Sequence, residues 1–138
     1  MTRAYLDSCI VIYYVERESA IATRIGAALR AFEPDSVVVV SDLVRMECRV
    51  RPRRLADNPL LARYDMFFVR GQVIVAPMHT TTFDLATDLR ARHGLKTPDA
   101  LHLATALEQG CDEFWTRDRR LESAAGTHLR VVTFVTTP

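Results

Sequence analysis

The sequence predicts an α/β fold, with helices layered on both faces of a mostly parallel sheet of about five strands. Three observations carry that expectation. Short apolar stretches of strand length alternate with longer amphipathic stretches along the chain. The strand stretches are continuously apolar, with four valines at 37–40, which signals burial on both faces as in a parallel sheet. Finally, residues 95–121 read as one αβ unit: a helix, a glycine stop, a buried strand and a turn carrying an acid.

In chain order, residues 3–7 (R-A-Y-L-D) form a strand ending on an acid, with Ser8 as a cap for the next element. Residues 9–15 are apolar and β-branched, so strand and buried helix compete. The Asp-Ser corner favours a helix packed on the sheet. Residues 18–32 are an amphipathic helix whose stripe is Ile21, Ile25, Ala28, Leu29 and Phe32. Pro34-Asp35 breaks it before the valine strand. Ser41 caps the next helix, from Asp42 to about Val50, which Pro52 ends; Glu47 lies inside it.

Residues 55–68 are expected to be helical, with Pro59 near the start or marking a break. Residues 73–76 are the third strand, stopped by Pro77. Residues 80–93 are a helix with Phe83, Ala86 and Leu89 spaced by three and Gly94 as its stop. In the 95–121 unit, Thr97 is the N-cap and Pro98 the first helical residue. Ala100, Leu103, Ala104 and Leu107 make the stripe, and Gly110 is the left-handed stop. Residues 114–116 are the fourth strand, and 130–134 the fifth. No repeat or linker interrupts this pattern, so residues 1–138 are expected to form one domain.

Composition narrows the function classes. With 49% hydrophobic and 25% charged residues the chain is ordinary for a globular protein. Its longest apolar run, 9–15, is far short of the ~18 residues of a membrane span. Met1-Thr-Arg leads straight into a strand, so no leader and a cytoplasmic location are expected. A net charge of +1 gives no global signal for nucleic acid. Arg45, Arg49, Arg51, Arg53 and Arg54 do cluster around a single acid, Glu47; a run of this kind is ordinarily a solvated face. Cys9, Cys48 and Cys111 are odd in number and widely spaced. They read as small buried hydrophobes rather than a zinc site or disulfide framework.

Four acids occupy related positions. Asp7 ends the first strand, Glu47 lies on the helix after the second, Asp99 opens the helix leading to the fourth, and Asp118 comes after that strand. In a parallel sheet such positions converge on one edge. Carboxylates gathered there repel unless a cation sits among them. Oxygen-only ligation suits Mg²⁺ or Mn²⁺, which can hold a phosphate and activate water. The chemistry implied is phosphodiester hydrolysis. Seventeen acids populate the chain, so spacing alone does not single out these four.

Four segments do single them out. Y-L-D-S at 5–8, S-D-L-V-R-M-E at 41–47, T-P-D-A-L-H-L-A-T-A at 97–106 and F-W-T-R-D at 114–118 occur in that order. Together they resemble the PIN-domain ribonucleases, and most closely the VapC-type toxins of toxin–antitoxin pairs. The resemblance implies a three-layer α/β/α domain and Mg²⁺- or Mn²⁺-dependent endonucleolytic cleavage of RNA. It also implies a homodimer and a small cognate antitoxin that blocks the site. Asp7, Glu47, Asp99 and Asp118 fall on the family's acidic quartet, expected both to hold the metal and to serve catalysis. Thr116 falls on its usual hydroxyl position.

Each residue also has a plainer role. Asp7 and Asp118 can cap the segments they precede, Asp99 can complement a helix dipole, and Glu47 can pair with Arg51 one turn on. Thr116 can be a strand threonine, and His102 a packing histidine rather than a proton shuttle. Arg117, Arg119 and Arg120 can be turn cations or phosphate contacts. Other function classes fit less well. A phosphoaspartate phosphatase wants D-x-D where Asp7 is followed by Ser8 and Cys9, and a receiver wants an acceptor Asp where Ala76-Pro77 stands. The remaining alternative is a non-catalytic PIN-like interaction module keeping its acids for a structural divalent ion.

Overall fold

The computed structural model describes residues 1–17 and 19–134. Five strands, β1 (Arg3–Leu6), β2 (Val37–Ser41), β3 (Val73–Ala76), β4 (Glu113–Thr116) and β5 (Arg130–Thr133), pair in parallel throughout, in the order β3-β2-β1-β4-β5. Three consecutive residues of β1, four of β2 and three of β4 are buried. Neighbours on a strand face opposite sides, so helices must cover both faces of the sheet. The edge strands β3 and β5 are only partly covered.

Each crossover is helical. α1 (Ser8–Glu16) and α2 (Ala20–Arg30) join β1 to β2, and α3 (Asp42–Arg54) and α4 (Asn58–Phe68) join β2 to β3. Next, α5 (Thr80–His93) and α6 (Thr97–Glu108) lead to β4, and a 3₁₀ turn at Arg119–Leu121 with α7 (Glu122–Ala125) leads to β5. No helix among the described residues is long and apolar enough to cross a membrane.

The core is built on β1 and β4. Tyr5 stacks on Phe114 with ring centroids 5.4 Å apart and planes 7° from parallel. Trp115, buried, meets Phe32 and Phe134 edge-on or tilted at 5.3 and 5.1 Å. Helix α6 is buried at every position from Ala100 to Ala106, which is broader than one amphipathic stripe because it is enclosed rather than laid on a surface. Cys48 and Cys111 are buried and Cys9 is half-buried; all three are free thiols.

Several local expectations are corrected. Asp7 rather than Ser8 is the N-cap of α1, its carboxylate accepting from the Ile10 amide at 3.2 Å. Thr97 is the first residue of α6 and Lys96 its cap, with no side-chain capping bond. Pro98 at the second position still removes a donor the helix start does not need. Helix α3 runs through Pro52 to Arg54, because a proline in the last turn removes one donor while Leu55 N still reaches Arg51 O at 3.0 Å. Helix α4 starts only at Asn58, capped by Asp57, so Pro59 belongs to its first turn. On α5 the inward residues are Thr82, Ala86 and Leu89; Phe83 falls one position off that 4-then-3 spacing and is 50% exposed. Helix α2 begins at Ala20 behind a Ser19 cap, and residue 18, where the sequence pattern starts the helix, lies outside the described residues.

Candidate active site at the carboxyl edge of the sheet

The strand order reverses between β1 and β4, since the chain winds outward to β2 and β3 on one side and to β4 and β5 on the other. In open α/β sheets the crevice at that switch point, outside the carboxyl ends of the strands, is where ligands bind. Asp7 and Asp118 leave β1 and β4 at this place, and the Asp7 amide bonds to Trp115 O at 3.1 Å. An open cleft of about 510 Å³ lies there. Asp7, Glu47, Asp99, Thr116 and Asp118 all line it, together with His102.

Each acid is held by a different element. The Asp7 carboxylate caps α1 and also accepts from Cys9 Sγ at 2.9 Å. Glu47, on the second turn of α3, accepts from Ser8 Oγ at 2.5 Å and pairs with His102 Nε2 at 2.7 Å. The alternative pairing of Glu47 with Arg51 does not form; Arg51 lies 3.9 Å from Glu16 instead. Asp99 sits half-buried in the first turn of α6. Asp118 is gripped by Arg120, Nε to Oδ1 at 2.9 Å and Nη2 to Oδ2 at 2.7 Å. Thr116 is buried, and its hydroxyl accepts from the Asp118 amide at 3.1 Å, which holds the turn bearing that acid.

The electrostatics distinguish the acids. Burial first, then the charges of Asp118 and Asp7, push the Asp99 carboxyl above its ordinary value. For Glu47 burial pushes upward, but the hydrogen bonds from His102 and Ser8 outweigh it and the net direction is down. Asp118 is lowered chiefly by its bond to Arg120. A donor set of carboxylate oxygens that repel one another suits a hard divalent cation. Among the described residues, however, no three Asp, Glu, His or Cys side chains are drawn together tightly enough to hold an ion. Both oxygens of Asp118 are turned onto Arg120, so an ion binding there requires that carboxylate to exchange partners, whereas only Oε1 of Glu47 is engaged, by His102 and Ser8.

The flanking cations divide. Arg117 is committed to the scaffold, its guanidinium 5.0 Å over the Tyr13 ring and bonded to the Tyr13 hydroxyl at 2.6 Å. Arg119 and Arg120 are exposed, and Arg120 lines the cleft. In the α3 cluster, Arg49 faces Asp65 of α4 at 3.1 Å, an interhelical clip rather than a free cation. Sequence reasoning misses the Ser8 and His102 bonds to Glu47. The only signal for the second is the three-residue spacing of His102 from Asp99.

A family model described as PIN domain matches residues 4–127. No curated protein matches the sequence. Among solved structures, the VapBC2 complex of Rickettsia felis, bound to a DNA fragment from its promoter, is 12% identical with a TM-score of 0.79 over 96% of this chain and 98% of that one. A toxin–antitoxin complex from Klebsiella pneumoniae is 24% identical with a TM-score of 0.72, covering 97% and 99%. Mycobacterium tuberculosis VapC20, described as a sarcin-ricin loop cleaving toxin, is 16% identical with a TM-score of 0.74, covering 92% and 98%. At these identities the likeness establishes a shared fold.

Proposed function

This chain belongs to the PIN domain family, and from that premise we propose that it is a metal-dependent endoribonuclease, the toxin of a toxin–antitoxin pair. The observation that carries the reading is the convergence of acids from four separate segments, at 7, 47, 99 and 118, on one open cleft. The substrate is RNA, the ion Mg²⁺ or Mn²⁺, and the regulator a small cognate antitoxin, in keeping with the toxin–antitoxin complexes among the structural neighbours. The working unit is a homodimer in the cytoplasm, and residues 1–138 form a single nuclease domain.

Asp7, Asp99, Glu47 and Asp118 would hold the ion. When bound, it supplies charge for the scissile phosphate and acidifies a water. The protein's own contributions are positional. Asp7 is fixed by its capping bonds, and Glu47 is oriented by Ser8 and His102. Thr116 holds the backbone of Asp118. Arg120, which lines the cleft, and the exposed Arg119 are placed to meet backbone phosphates. Burial, then the charges of Asp118 and Asp7, raise the Asp99 carboxyl, and a bound cation would relieve that repulsion.

The test is cleavage of a mixed total-RNA sample by purified protein with Mg²⁺, with Mn²⁺ and with EDTA, beside an Asp7→Asn, Asp99→Asn double variant. Discrete fragments that require metal and vanish in the variant are expected. Wild type as inert as the variant on every RNA class, with metal bound, would sink the catalytic reading and leave an interaction module with a structural ion.

A further inference from the structure

Helix α6 is enclosed in the core, and all but one of its buried side chains from Ala100 to Ala106 are aliphatic or a threonine bonded back to its own helix. The exception is His102, only 4% exposed. A buried imidazole is costly unless both ring nitrogens are paired. Both are: Nδ1 lies 2.8 Å from the Tyr5 hydroxyl and Nε2 2.7 Å from Glu47 Oε1. The chain of bonds extends at each end. The Tyr5 hydroxyl is 2.9 Å from Ser41 Oγ, which accepts from the Val44 amide at 3.3 Å, and Ser8 Oγ donates to the same Glu47 oxygen at 2.5 Å.

Donor accounting gives this chain one direction. A carboxylate has lone pairs only, so the proton between His102 and Glu47 sits on Nε2. With Ser41 Oγ accepting from the Val44 amide and donating to Tyr5, and Tyr5 donating to Nδ1, every donor along the chain is used. Both hydroxyls between the Val44 amide and the ring then donate once and accept once, and the ring presents a proton on Nε2 to Glu47. The anchors come from β1, from the end of β2 and from α1, while the ring comes from α6 and the carboxylate from α3.

We infer that His102 is the positioning residue for Glu47, and that Tyr5 and Ser41 hold its ring in the tautomer that donates to the carboxylate. The inference rests on the proposed role of Glu47 in holding the ion. His102, 4% exposed, acts through Glu47. It fixes Oε1 with Ser8 and thereby sets the carboxylate plane toward the cleft, as outer partners of a ligating carboxylate do.

The test uses wild type, His102→Leu, His102→Gln and Tyr5→Phe, each checked by thermal unfolding. Mn²⁺ binding is measured by calorimetry with the metal alone, and RNA cleavage is measured in parallel. Nitrogen NMR of the metal-free wild type is expected to show His102 carrying a proton on Nε2. His102→Leu should weaken Mn²⁺ binding and cleavage about 10- to 100-fold. His102→Gln, whose amide nitrogen can donate from near the place of Nε2, should recover most of both, and Tyr5→Phe should fall between. A folded His102→Leu that binds Mn²⁺ like wild type overturns the inference. So does a folded His102→Gln as impaired as His102→Leu, or a proton found on Nδ1 alone. If His102→Leu does not fold, Tyr5→Phe, which keeps the ring stacked on Phe114, decides by the same criteria. A wild type that neither binds Mn²⁺ nor cuts RNA defeats the proposed function itself and this inference with it. That outcome is distinct from an active wild type matched by its variants.

Discussion

Arg120 closes over the carboxylate of Asp118 two residues before it, meeting both oxygens with a two-pronged grip. The grip forms across the 3₁₀ turn, whose backbone is tied to the same acid, since Arg120 N donates to Oδ1 at 2.9 Å. A divalent ion held as proposed would compete with the guanidinium for that carboxylate.

Removing the competitor should separate ion binding from RNA binding. Arg120→Gln is expected to tighten Mn²⁺ binding by up to about fivefold, the scale an exposed ion pair reaches. The same variant should bind a non-cleavable RNA more weakly, with the salt slope reduced by about one phosphate contact. Calorimetry and filter binding over a salt series check the two effects. Unchanged Mn²⁺ affinity would show that the grip does not guard Asp118.

Asp99 should trade stability against activity. Burial and the charges of Asp118 and Asp7 raise its carboxyl, so the ionised form is unfavourable in the metal-free fold at neutral pH. Asp99→Asn is expected to raise the metal-free Tm by about 2 °C, a modest gain after solvent screening, and to abolish RNA cleavage. A raised acid binds its proton more tightly folded than unfolded. The Tm difference should therefore narrow as pH falls into the carboxylate range, where wild-type Asp99 takes up a proton. Adding Mn²⁺ should raise the wild-type Tm and leave the variant nearly unmoved. A variant less stable than wild type without metal would contradict the repulsion.

The thiols should be silent in the native state. Burial pushes Cys111 up to about 12 and raises Cys48 as well, and burial together with Asp7 raises Cys9. Thiolate is the reactive form. A chromogenic disulfide reagent at neutral pH is expected to label the native protein slowly and all three cysteines at once in denaturant. One rapidly labelled native cysteine would refute this.

Within the arginine cluster only one member should matter for stability. Arg49 lies 3.1 Å from Asp65 across the α3–α4 contact, with its Nε and the Asp65 Oδ1 both out of solvent. Arg49→Ala removes a part-exposed ion pair and is expected to cost about 0.5–1 kcal/mol in urea unfolding. Arg53→Ala and Arg54→Ala, on the exposed last turn, should each change stability by under about 0.5 kcal/mol. Equal effects at all three positions would mean the cluster acts as a field rather than through one clip.

The order of strands and helices was legible in the sequence because its signals are local. Burial on both faces writes continuous apolar runs such as 37–40, and the positive φ of Gly94 and Gly110, 66° and 64°, marks helix ends that other residues tolerate poorly. Element ends were less legible, since capping depends on which of two adjacent side chains turns back, as at Asp7 and Ser8. The identities of the acids in the cleft came from motif resemblance, because seventeen carboxylates leave spacing uninformative.

What only the tertiary structure decided is partnership. Placing β1 between β2 and β4 brings Tyr5 against His102, 97 residues away, and His102 against Glu47, 55 residues away. No periodicity encodes such contacts, because the side-chain pattern of a helix or strand reports which face is buried and not what it is buried against. The sequence determined that acids would stand at the carboxyl edge of a parallel sheet. The packing determined that one caps a helix, one is gripped by an arginine, one is raised by its neighbours and one is aimed by a buried histidine.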